Sequence, residues 1–452
     1  MTGTLSSESI TIVGAGLAGS LLAMFLARHG LRVEVYERRP DPRQVADHAG
    51  RSINLALSTR GLYALEQIGL AETATHSSMP MRGRMIHTLD GTVRFQPYGK
   101  DDSEVLYAIS RAGLQNTLLD ATEAYPNIRI TFQERSLGLT CSTGELHLRH
   151  EVTGRDRTLP PSRIIGADGS ASAIRNAMLS TPRFNFSQDT LEHGYKELTI
   201  PSGPQGAFQL DPHALHIWPR GTYMLIALPN TDGSFTCTLF LPFSGAWSFA
   251  SLSSKTAIVD FFQRQFPDVV PLIADLVDSF LAHPTGSLVT IKCYPWHLAD
   301  LVLLLGDAAH AIVPFFGQGM NCAFEDCTYL DTCLTQYGPD WGRVFAAMTD
   351  GRKIHTDAIA DMAVMHYLEM RDRVADPKFL LQKQIEQELE RRYPEVYIPQ
   401  YSLVTFHRIP YAVARDKAQA QERILQDLSA AIDSFDAVDW DKAERLITQD
   451  LL

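Results

Sequence analysis

Gly14, Gly16 and Gly19 stand at a spacing that lets backbone N–H groups wrap around phosphate oxygens. They lie between an apolar strand-like run, Ile10 to Val13, and a helix-like run, Leu21 to Ala27. The first glycine permits a tight turn, the second a close approach of pyrophosphate, and the third close packing of helix on strand. Leu17 and Ala18 then open a helix whose N-terminus faces the phosphate charge. Glu37 closes the next strand-like segment, Arg32 to Tyr36, about twenty residues on, where a carboxylate accepts ribose hydroxyls. Together these residues point to dinucleotide binding. Taken alone, the glycines are equally a plain βα turn.

Two glycine–aspartate elements add a second chemistry. Gly166-Ala167-Asp168-Gly169 ends the apolar run Arg163 to Ala167, and Gly306-Asp307-Ala308-Ala309-His310 ends Leu301 to Leu305. An acid at the carboxyl edge of a parallel sheet can bind the ribityl hydroxyls of a flavin; it can equally cap a helix. After the second element come Pro314-Phe315-Phe316-Gly317-Gln318-Gly319-Met320-Asn321. The glycines there let backbone approach a flat ring before a helix starts.

The elements that must position these residues read as βαβ up to about residue 75, with a helix from Thr59. Residues 80–110 are mixed and turn-rich. A helix from Arg111 to Ala124, a strand at Ile128 to Phe132 and a hairpin around Ser142-Thr143-Gly144 follow. Antiparallel strands are expected at Leu215 to Trp218, Thr222 to Leu228 and Ser234 to Leu241, then a helix at Ala257 to Gln265. From Asn321 onward the pattern is mostly helical. The simplest division is a nucleotide-binding domain in two parts, 1–178 (with 80–110 contributing to a substrate site) and 287–340. A β-rich domain, 179–286, interrupts it, and a helical region, 341–452, follows.

The bulk properties exclude several classes. The 452 residues carry a net charge of -12, which argues against nucleic acid as a partner. The six cysteines form no CxxC pair and no metal-ligand spacing; Cys322, Cys327 and Cys333 read as buried thiols in a helix. No signal peptide is read and no run approaches the ~18 apolar residues of a membrane span, so the expectation is a cytoplasmic protein.

The three motifs in this order resemble the fingerprints of the single-component aromatic flavoprotein monooxygenases. The fold class implied is α/β: a Rossmann-type FAD-binding domain of the para-hydroxybenzoate hydroxylase kind, a β-rich substrate domain and a C-terminal helical region. Further blocks resemble the kynurenine-hydroxylating branch of that family: Gly50 to Ser58, Met81 to Met85, Gln96-Pro97-Tyr98-Gly99, His193 to Glu197, Ala214 to Pro219 and Tyr401 to Phe406. The resemblance implies FAD and NADPH as cofactors and O2 activated on reduced flavin. The substrate it implies is a small aryl amino acid, L-kynurenine or a ring-substituted kynurenine hydroxylated at C3. No acid–base residue is required, because the ring amino group already activates the neighbouring carbon. The polar stretch Asp439-Trp440-Asp441-Lys442 stands where eukaryotic members carry a membrane anchor, so none is expected. A homodimer stays open.

The resemblance also assigns residues. Pro314, Phe315, Phe316 and Gln318 would lie between flavin and substrate. The cofactor set is Gly14, Gly16, Leu17, Ala18, Gly19, Glu37, Arg38, Leu55, Arg111, Asp168, Asp307, Gly319, Met320 and Asn321. Arg84, Tyr98 and Tyr401 would grip the substrate carboxylate, and Leu215, Met224, Thr238 and Phe240 would line the ring pocket. The family's asparagine at the fourth carboxylate contact is His366 here, a larger and chargeable group. An indole-containing substrate and a non-catalytic flavin sensor are the alternatives left open.

Overall fold

A computed structural model describes residues 8–45, 54–99, 104–372 and 377–451. Residues 50–53 of the Gly50 block lie outside the described residues. The chain divides into two interleaved units, Met1–Ser78 with Ile109–Leu191 and Leu288–Ala360, and Met79–Ala108 with Glu192–Ser287 and Asp361–Leu452.

The first unit is built on a six-stranded sheet. Its order is His297–Leu298, Val302–Leu304, Arg163–Gly166, Ser9–Val13, Arg32–Tyr36, Ile128–Thr131. All neighbours are parallel except the first pair. The short apolar runs at the centre suit strands covered on both faces. Register matters most for function. Val13 lies beside both Gly166 and Tyr36, and Gly166 beside Leu304. Gly14, Glu37, Ala167-Asp168 and Leu305-Gly306 therefore leave one sheet edge together. The helix Leu17–Arg28 buries every residue from Gly19 to Ala27, and Gly319–Tyr337 packs beside it.

In the second unit, the part of Asn185–Ile200 from Glu192 onward, Phe235–Pro242, Met224–Pro229, Ala214–Pro219, Gly83–His87 and Val93–Pro97 lie side by side in that order. Trp218, Leu225 and Leu239 are cross-strand neighbours on one face. They join Phe261, Phe262 and Phe280 of the helices Lys255–Gln265 and Leu276–Ala282 in a buried core. Side chains alternate along strands, so the other face carries Arg84 beside Leu215, Met224 beside Phe240 and Ile226 beside Thr238. The helices Pro377–Arg392, Tyr411–Ser429 and Trp440–Asp450 form a separate core around Ile385, Leu389, Ile424 and Ile447. Among the described residues no helix is long and apolar enough to cross a membrane.

The three strands expected between 215 and 241 are present. The hairpin Gly83–His87 and Val93–Pro97, in the region read as mixed, is a difference. Gly83–His87 pairs in parallel with Ala214–Pro219, a partner far away in sequence that no local pattern announces.

Candidate active site

The first glycine turn is fixed from several sides. Gly14 has φ +101°, and a Cβ there would sit 2.5 Å from the Ala167 carbonyl oxygen; a Cβ on Gly19 would sit 1.9 Å from the Gly14 oxygen. Gly16 is different. A Cβ there meets nothing within 4 Å, so its side faces open space at the start of Leu17–Arg28. That helix has no side-chain cap and no acid in its first turn. Its free N–H groups and the open side of Gly16 form a cradle that suits a pyrophosphate. Glu37 receives the Ala15 N–H at 2.9 Å and the Arg39 N–H at 2.9 Å, which hold its carboxylate at the turn. Arg38 and Arg111 are exposed, and Leu55 is half-buried on the strand Asn54–Leu57.

The two aspartates divide sharply. Asp307 is exposed at the sheet edge, one residue after Gly306 with φ +61°. It is free to meet a hydroxyl. Asp168 is occupied instead: Oδ1 accepts from the Ser172 hydroxyl at 2.5 Å, and Oδ2 from the Ala173 and Ile174 N–H groups at 2.7 and 3.2 Å. Burial raises its pKa despite those donors. It takes the first two N–H groups of Ala173–Met178 and the hydroxyl of Ser172, the N-cap residue of that helix, a form of the capping that is the bland alternative for an acid in this motif.

The loop after the second aspartate is equally specific. Pro314–Phe316 forms one 3-10 turn, ended by Gly317 at φ +65°. Pro314 is exposed, Phe315 and Phe316 are buried, and Gln318 is 1% exposed. Asn321 donates to the Gly317 and Ala56 carbonyls, both at 2.8 Å, and accepts the Ser58 N–H at 3.0 Å. Its amide thus ties the loop to the strand Asn54–Leu57. Gly319 and Met320 open the helix Gly319–Tyr337, which also lacks a side-chain cap and a first-turn acid.

The proposed substrate residues all lie in the second unit, where the structure brings four of them together. The Arg84 guanidinium lies 4.5 Å from the Tyr401 ring centre and 5.5 Å from that of Tyr98. The two phenol rings stack at 5.4 Å. His366 Nε2 lies 3.4 Å from Arg84 Nη2, and its ring is 6.0 Å from that of Tyr401. Arg84 Nε and the Tyr98 hydroxyl are buried without hydrogen-bond partners. Burial works against the Arg84 charge, but Tyr401, Tyr98 and the more distant Glu369 outweigh it and raise its pKa. Burial also lifts the Tyr98 phenol well above its ordinary value. Both groups stay protonated donors. Burial first, then Arg84 and Lys383, push His366 well below its ordinary value. His366 is therefore neutral and supports Arg84; a positive charge there is opposed by two cations. Leu215, Met224, Thr238 and Phe240 share the sheet face of Arg84, and the last three are buried.

Lys383, bound to Glu386 at 2.9 Å and Glu369 at 3.6 Å, was not legible as part of this site. In the first unit, Arg175 reaches the Ser170 and Ala308 carbonyls at 2.6 and 3.0 Å, a bond pair that no local pattern announces. The adjacent acids Glu325 and Asp326, set in the largely apolar first half of Gly319–Tyr337, are the local mark of buried ion pairs.

The first unit thus carries a parallel sheet with a glycine turn at one edge, and the second a buried guanidinium among two phenols and an imidazole. Residues 7–218 and 295–342 match the FAD binding domain family. The chain is 52% identical over 440 residues to kynurenine 3-monooxygenase of Myxococcus xanthus, covering 97% of this chain and 95% of the relative. It is 43% identical to the enzyme of that name from Dictyostelium discoideum, covering 98% of each. Among solved structures, tetrameric 2-methyl-3-hydroxypyridine-5-carboxylic acid oxygenase aligns with a TM-score of 0.66 at 20% identity, over 82% of this chain and 94% of that one. PqsL of P. aeruginosa with 2-aminobenzoylacetate aligns at 0.65 and 20%, over 81% and 97%. These last two share the fold. The chain is an FAD-dependent monooxygenase. It belongs to the kynurenine 3-monooxygenase family.

Proposed function

We propose that the protein hydroxylates L-kynurenine, or a ring-substituted kynurenine, at C3 with NADPH and O2. The observation that carries this reading is the pair of buried, unpartnered donors, Arg84 Nε and the Tyr98 hydroxyl. A buried donor left unpaired costs on the order of 1–3 kcal/mol, and a substrate carboxylate placed against both removes that cost. Arg84 Nη2 faces His366, while Nε, on the same edge of the guanidinium, is left for the ligand. The apolar face formed by Leu215, Met224 and Phe240 suits an aromatic ring beside that anchor. Strong relatives bearing the kynurenine 3-monooxygenase name support the same substrate.

The residues that would hold FAD are Gly14 to Gly19 and Glu37 at the adenosine end, and Asp307 with the N-terminus of Gly319–Tyr337 at the flavin end. Bound FAD supplies the activation of O2 that no side chain can provide. The protein's part is to bind and orient. Arg84 and Tyr98 fix the carboxylate, Tyr401 and His366 fix Arg84, and the apolar strand residues exclude water from the ring.

The test is NADPH consumption by FAD-loaded protein with L-kynurenine, ring-substituted kynurenines, tryptophan and anthranilate. A kynurenine should accelerate consumption and yield a product one oxygen heavier. Equal rates with and without every kynurenine would refute the reading.

A further inference from the structure

A buried ionic chain in the first unit has no part in the chemistry described so far. Asp326, fully buried on Gly319–Tyr337, offers Oδ2 to His310 Nε2 at 2.5 Å and to the Gly306 N–H at 3.2 Å. Its Oδ1 accepts from Arg352 Nε at 2.8 Å. Arg352 also meets Glu325 at 2.6 Å, and Glu325 meets Arg60 at 2.6 Å. His310, Cys322 and Asp326 are close enough to surround a metal ion. The Arg352 guanidinium already supplies the cation there, reaching Cys322 Sγ at 3.5 Å.

The geometry has a specific consequence. Gly306 and His310 bracket the four-residue helix Asp307–His310, and one carboxylate oxygen holds both ends of it. Asp307 projects from that helix to the exposed sheet edge. Gly306, at φ +61°, is crowded on the side where a Cβ would meet Ala323 at 3.3 Å and Ala18 at 3.6 Å. A helix this short has too few internal hydrogen bonds to fix its own direction. Its direction must come from outside.

We propose that Asp326 is a positioning residue for the flavin end of the cofactor: with His310 and Arg352 it aims Asp307 at the flavin side chain. This rests on the reading of Asp307 as a cofactor contact. Removing the carboxylate leaves the glycine turn and Glu37 untouched, so the adenosine end of the site stays intact. Loss of aim should therefore appear for the whole cofactor and not for its nucleotide half.

The experiment measures the dissociation constant of FAD by flavin fluorescence quenching on apoprotein, and that of ADP by competition against FAD. The variants are Asp326→Asn, His310→Gln, Asp307→Ala and the double variant Asp307→Ala with Asp326→Asn. Asp326→Asn should weaken FAD at least tenfold and ADP less than twofold, and the double variant should bind FAD as Asp307→Ala does. His310→Gln, which keeps an N–H donor for Asp326, should lie within threefold of the parent for FAD. Equal weakening of FAD and ADP would show general loosening and overturn the proposal. So would unchanged FAD binding in Asp326→Asn while Asp307→Ala weakens it, or additive losses in the double variant. Unchanged binding in Asp307→Ala would instead overturn the reading of Asp307, and the proposal with it. If Asp326→Asn does not fold, Arg352→Lys, which keeps the cation, must reproduce the split between FAD and ADP.

Discussion

Replacing Arg84 by methionine should weaken substrate binding without markedly weakening the ligand-free protein, and the two effects can be estimated separately. No carboxylate among the described residues lies within ion-pair distance of Arg84, and its Nε is a buried donor without a partner. Deleting that donor returns about 1–3 kcal/mol. Against it stands the contact with the Tyr401 ring at 4.5 Å, which is worth about 1–2 kcal/mol when desolvated. A methionine sulfur against the same rings restores about 0.3–1.5 kcal/mol. The balance lies between about −0.7 and +3.5 kcal/mol, so the thermal midpoint of this unit should fall by no more than ~3 °C and rise by up to ~14 °C. Affinity behaves oppositely. A substrate carboxylate placed in the same pocket without its cation loses about 2–5 kcal/mol, a weakening of about 30-fold to several thousand-fold. Scanning fluorimetry of ligand-free protein and calorimetric titration with L-kynurenine read the two quantities, with FAD content as a control. A variant that melts markedly lower yet binds the ligand normally would refute the argument, because Arg84 would then be structural.

Gly16→Ala should leave the melting temperature of the apoprotein unchanged, since no neighbour lies within 4 Å, but weaken FAD at least tenfold by fluorescence titration. Gly19→Ala, pressed against the Gly14 oxygen, should fail to fold well. Asp168→Ala should cost about 1–2 kcal/mol in denaturant melts through loss of a helix cap, whereas Asp307→Ala should cost little stability and weaken FAD. His216, which burial pushes down to about 4, stays neutral in the folded protein. It contributes stability that is fully present above its unfolded value near 6.5 and lost as pH falls toward 4. His366 is lowered in the same direction. Denaturant melts at pH 7.5 and 4.5 should therefore show a steeper loss for the parent than for His216→Asn; equal losses would refute it.

How much of this was legible depends on what each residue answers to. The turn at Gly14 and the places of Glu37 and Asp307 after strands were legible because their demands are local: a backbone shape, or an acid where a strand stops. Asp168 was ambiguous because the same sequence, Asp-Gly before a short helix, serves a cap as well as a ligand, and its bonds to Ser172 and Ala173 become visible only in the fold. Asn321 was placed correctly in the loop, but its amide faces its own chain. The charge state of His366 was hidden for a different reason. Its imidazole responds to Arg84 on a strand and Lys383 on another helix, neither of which its own helix reveals.

The interleaving of the two units along the chain governs biosynthesis. Both units are assembled from three stretches of chain each, so neither is complete when the ribosome has made two thirds of the protein. A nascent chain that stops at 287 lacks Val302–Leu304, and the strand Arg163–Gly166 is left with a bare apolar edge. Such edges recruit other chains, and contacts this distant in sequence close slowly. Productive folding is thus deferred until the last third emerges, and fragments ending earlier should need a chaperone to stay out of aggregates.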